Sequence, residues 1–159
     1  MKISEAFTDG GALKTLAVLD AIPKRAAKFM EEKKHREAAA SRDDLTEWIS
    51  KLSSQKRSNE EEIKSRIEER DTAQKKIKDF EVLIASLKSE LHRSIEAADA
   101  DTDRHFDLLN KMNRLTNDRK AETDRVERLA VQVEALKKQV GDIDGELKTL
   151  QSKLDNLKA

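Results

Sequence analysis

The stretch VERLAVQVEALKKQVGDIDGELKTLQSKLDNL, residues 126–157, decides the fold. Apolar residues recur in it at alternating spacings of three and four, the period of a supercoiled helix stripe. Val126, Val133, Val140, Leu147 and Leu154 occupy the a positions of a heptad. Leu129, Leu136, Ile143, Leu150 and Leu157 occupy the d positions. Carried backwards without a shift, the same frame collects Ile77, Phe80, Ile84, Leu87 and Leu91, and then Leu45, Ile49 and Leu52. One phase held this far predicts an all-α protein built on a long coiled coil. Uninterrupted from Leu45 to Leu157, such a helix would run about 170 Å at ~1.5 Å per residue.

Composition points the same way. Charged residues make up 40% of the 159, aromatics 3%, and there are four Gly and one Pro, so a large globular core is not expected. The apolar stripe must be buried by another helix. Thirty-two basic residues balance thirty-two acidic ones, which leaves no net field to draw the chain onto nucleic acid. Without cysteine there is neither a disulfide framework nor a thiolate metal site. The N-terminus lacks an apolar signal-peptide core and no stretch reaches the length of a membrane span, so the expected location is intracellular, cytoplasmic or cytoskeletal, and not secreted.

The chain divides into residues 1–40, an N-terminal docking segment, and residues 41–159, a coiled-coil rod. In the first, Asp9-Gly10-Gly11 is a turn signal, and Pro23 is expected to break the segment into two short helices. Lys24, Arg25, Lys28, Lys33, Lys34 and Arg36 make the second of these locally basic. It reads as a charge-rich docking helix, with an acidic membrane surface as the lesser alternative. Ser41 followed three residues later by Asp44 resembles a capping box, which either restarts the helix or lies within it.

The rod has two weak points, 53–70 and 94–105. Lys56, Asn59, Arg66 and Arg70 fall on the seam in the first, and Ser94, Asp101 and His105 in the second. Because residues 97–104 contain neither Gly nor Pro, a continuous helix is the favoured reading. The alternative is an antiparallel helical hairpin bending near 97–104, with Ile77–Leu91 packed on Leu108–Val133.

Val at a with Leu at d suits a parallel dimer. The flanking positions fit it poorly: Lys153 would meet Lys158, and Ile67, Leu83, Ile95 and Leu109 sit at e or g, where a two-stranded coil leaves them wet. A heteromer or multi-helix bundle is therefore preferred as the partner arrangement, with the parallel homodimer second. The seam from Ile77 to Leu157 is the expected partner-binding surface. Phe29, Trp48, Ile67, Leu83, Ile95, Leu109 and the outward glycines Gly141 and Gly145 are secondary contacts. Phe106 and Val82 are further apolar residues off the seam.

No catalytic, cofactor or metal residues are expected. Asp99, Asp101 and Asp103 are spaced like the opening of a calcium loop, but Arg104 stands where that loop needs Gly and Asn110 where it needs Glu. His92 and Glu96, one turn apart, supply two ligands where a metal site needs more. Nucleophile-base pairs and glycine-rich phosphate loops are lacking. Two function classes follow. One is a non-enzymatic structural subunit acting as scaffold, spacer or tether in a cytoskeletal, ciliary or similar assembly. The other is a helical-hairpin adaptor or membrane-associated protein, which resembles phage-shock-type remodelling proteins and export-apparatus stalk proteins in architecture, with no motif residue shared.

Overall fold

A computed structural model describes residues 11–97 and 102–158, with side chains from 21 to 97 and from 102 to 157. The described residues form three helices: α1 (Gly11–Ala38), α2 (Arg42–Glu96) and α3 (Thr102–Lys158). The two long helices pack antiparallel in a hairpin-like arrangement. The continuous helix expected across 97–104 is thus replaced by the hairpin: α2 ends at Glu96 and α3 begins at Thr102. Seam residues from the two halves of the same chain cover one another, which a single straight helix cannot do. The acidic triplet beginning at Asp99 lies largely outside the described residues.

Start and stop signals act locally as their chemistry requires. Ser41 caps α2, its Oγ accepting the Asp44 N–H at 3.2 Å, and Asp43 and Asp44 place negative charge in the first turn. At the other end of α2 the Ala97 N–H closes the last turn on the Arg93 carbonyl at 3.0 Å. Pro23 does not divide α1. The helix runs through it, and the expected pair of short helices becomes one of 28 residues. Proline removes one backbone donor, which interrupts the ladder without ending it where packing holds the flanking turns. One such hold is visible: Gln139 Nε2 donates to the Ile22 carbonyl at 2.9 Å.

By packing, the chain forms two units, residues 1–64 with 132–159, and residues 65–131. In the first, the bundle unit, α1 lies with the start of α2 and the end of α3. Its core contains Ala39, Leu45, Leu52, Ile143, Leu150 and Leu154, with Phe29, Trp48, Ile49 and Leu147 packed against them. In the second, the hairpin unit, the seam is thinner. Ala73, Leu108 and Leu129 are buried, while Ile77, Phe80, Ile84, Leu87 and Leu91 are half-buried. Two helices alone cannot cover a stripe as fully as three.

Candidate partner-binding surfaces

The heptad frame orders the polar residues as well as the apolar ones. In the hairpin unit Ser94 Oγ and His105 Nε2 lie 3.0 Å apart, so two of the residues that weaken the seam in sequence satisfy each other across it. Glu90 with Arg104 at 3.1 Å and Glu69 with Arg125 at 3.6 Å continue the same antiparallel register. The weak point at 53–70 has a different cause. Asn59, buried on the seam of the bundle unit, donates to Gln139 Oε1 at 3.4 Å and accepts from Arg25 Nη1 at 3.2 Å. Arg25 also reaches Glu62 at 2.6 Å. The polar seam residue therefore marks the place where α1 joins the long helices, and α2 itself runs on unbroken through this stretch.

Nearby, Lys56 bonds Asp144 at 2.7 Å. The hydrogen bond to that carboxylate, and then its charge, raise the Lys56 pKa above the ordinary lysine value.

Among the described residues Arg36 is the most buried charge, with no exposed surface. Its guanidinium stacks 4.3 Å from the Phe29 ring centroid and 5.8 Å from that of Trp48. Nη2 donates to the Phe29 carbonyl at 2.9 Å, and Nε faces Glu146 at 3.5 Å. Lys33 joins the same carboxylate at 4.0 Å, and Lys51 reaches Glu32 at 3.3 Å. The basic segment of α1 thus docks onto its own chain. Phe29 and Trp48, two of the expected secondary contacts, are partly buried against the core of the bundle unit.

The remaining candidate residues differ in exposure. Those from Ile77 to Leu154 line the intramolecular seam, whereas Leu157 at its end is exposed. Ile67 is half-buried. Leu83, Ile95 and Leu109 are exposed, as are Val82, Phe106 and Val131, and in the bundle unit Met30. Met30 lines a groove of about 320 Å³ together with Ile22, Pro23, Ala26, Phe29 and Ala135, and with Lys138, Gln139 and Asp142 on its polar side. A Cβ built on Gly141 or Gly145 would meet nothing within 4 Å, so among the described residues no neighbouring backbone approaches them.

Among the described residues no group of three or more metal-binding side chains comes together. His92 instead pairs with Glu96 at 3.1 Å on an exposed turn. No helix among the described residues is long and apolar enough to cross a membrane. Comparison with family models, curated proteins and solved structures returned no significant match.

The heptad frame marks Leu83, Ile95 and Leu109, with Phe106 and Val82, as apolar residues off the seam, but each is unremarkable singly. Their common signal is exposure after the seam has been closed from within, and only the tertiary arrangement displays that.

Proposed function

We propose that this chain is a non-enzymatic helical-hairpin adaptor that holds other protein chains together or apart within a larger assembly. One observation carries the reading: α2 and α3 satisfy each other's seam, yet large apolar side chains stay in water on faces the seam does not use. Exposed apolar surface is where one protein offers another a place to dry. A balanced formal charge favours protein partners over nucleic acid. Because Arg25, Lys33 and Arg36 engage carboxylates of the same bundle unit, α1 has fewer free cations for a lipid surface.

The length of α2 and α3, 55 and 57 residues, keeps a spacer or scaffold subunit of a cytoskeletal, ciliary or similar assembly as the second reading. Photo-crosslinking residues placed at Met30, Val82 and Leu83 in the full chain, in its native cells, test the adaptor proposal. The expected result is a small set of discrete adducts lost on Leu83→Lys. Adducts no different from those at an exposed lysine such as Lys64 would sink it.

A further inference from the structure

We propose that Phe106, Leu109, Asn110, Asn113, Thr116 and Asn117 of α3 form a self-association face that takes a second copy of this chain, helix against helix and antiparallel. The inference deepens the adaptor reading by assigning an occupant to one face of the hairpin unit, and in that sense rests on it.

The argument begins with how charge is distributed. From Arg104 to Asp118 the charged residues are Arg104, Asp107, Lys111, Arg114 and Asp118, and in the heptad frame all of them fall at c or g. Positions b, e and f over the same turns hold the six residues of the strip, all exposed and none charged. In a chain that is 40% charged, this confines the charge of three helical turns to one side. That charged side is occupied with its own pairs, Arg104 with Glu90 and Lys111 with Asp107 at 3.2 Å.

On the neutral side, Phe106 remains 60% exposed, and the Thr116 hydroxyl turns back to the Met112 carbonyl at 2.8 Å instead of facing outward for a partner. Ile95, 57% exposed at an e position of α2, borders the same side of the coil. Loss of charge with retention of aromatic and aliphatic side chains is what distinguishes the centre of an interface from ordinary surface.

The identity of the occupant follows from charge and from size. A charged helix laid on this strip would lose hydration with nothing to pair against, which costs more than leaving the strip wet. A second copy presents the same neutral surface and brings no such loss. Bulk also runs along the strip in one direction, large at Phe106 and Leu109, small at Thr116 and Asn117. Turning one copy end over end about an axis between Asn110 and Asn113 sets the large end of each against the small end of the other. This is an isologous, closed arrangement. A strip of three turns is less than the ~800 Å² per partner of a standard interface, so the dimer is weak and forms at high concentration.

Because the chain has no cysteine, Asn113→Cys introduces a single thiol beside the proposed twofold axis. Under mild oxidation it is expected to form disulfide-linked dimers much faster than Lys111→Cys, which lies on the charged side. In sedimentation equilibrium the unmodified full chain should associate reversibly. Phe106→Glu, with helicity unchanged by circular dichroism, should weaken association by about thirtyfold or more, the scale of losing an interface anchor. Leu83→Glu alters another exposed apolar residue, at a g position on the other side of the coil, and should leave association unchanged. The proposal is overturned by a chain that stays monomeric at the highest soluble concentration, by equal cross-linking of the two thiols, or by equal weakening from Phe106→Glu and Leu83→Glu. The adaptor proposal is read at Met30, Val82 and Leu83, outside this strip, so the two fail separately.

Discussion

Arg36 places a permanent charge where no water reaches it. Two rings, a backbone carbonyl and Glu146 replace much of its hydration, although its Nη1 has no hydrogen-bond partner. Removing the side chain leaves Glu146 with Lys33 alone, at 4.0 Å, and opens a void between Phe29 and Trp48, so Arg36→Ala should lower unfolding free energy by about 3 kcal/mol, the low end of the cost of breaking a buried pair. Arg36→Met keeps most of the volume and should cost much less. Urea unfolding followed by Trp48 fluorescence measures both, and equal losses would contradict a role for shape as well as charge.

Lys56 gives a pH signature. Its folded pKa lies above the ordinary 10.5, so the Lys56–Asp144 pair favours folding fully below that value and loses its effect as pH rises through the folded value. The Tm advantage of the native chain over Lys56→Gln should therefore shrink as pH is raised from about 9 to about 11. An advantage constant over that range would show that the pair contributes nothing.

At the scale of elements, the informative positions are those where a helix departs from its own preferences. α3 carries Gly141 and Gly145 on its outer side, each costing about 1 kcal/mol against alanine in helix propensity. Since a Cβ at either meets open space, Gly141→Ala and Gly145→Ala should each raise the stability of the isolated chain by roughly that amount in thermal or urea unfolding. Destabilisation by either would mean that another backbone lies against this surface in solution.

α1 departs from preference at Pro23. Local rules place a helix boundary there. They weigh only one lost donor and a steric clash, whereas Ile22 is buried and its carbonyl is held by Gln139, a residue 117 positions away. At Ser41 the residues leave open whether a helix restarts or runs on, and the bond from the Asp44 N–H to its Oγ, a contact within one turn, decides for a start.

For the whole molecule, the two units differ in how well they exclude water. Leu136, Ile143 and Leu150 are almost fully buried in the bundle unit, while the hairpin unit keeps most of its seam half-exposed. Amide exchange should therefore be slowest around residues 136–150 and clearly faster around 80–91 and 109–119. Uniform protection along α3 would contradict this difference in packing.

The heptad frame was legible from residues alone, with every seam position from Leu45 to Ser94 and from His105 to Leu154 buried or half-buried as it implies. A helix shows its apolar side through a period of a few residues, which sequence contains in full. What covers that side is another matter. A stripe states that it must be buried and not by which helix, nor in which direction. An in-register parallel copy and a returning arm of the same chain bury it equally well by pattern. The choice rests on pairings such as Asn59 with Gln139 and Ser94 with His105, and on the seating of Arg36 between Phe29, Trp48 and Glu146. These interactions depend on distance in space, and for that reason only the folded chain decides them.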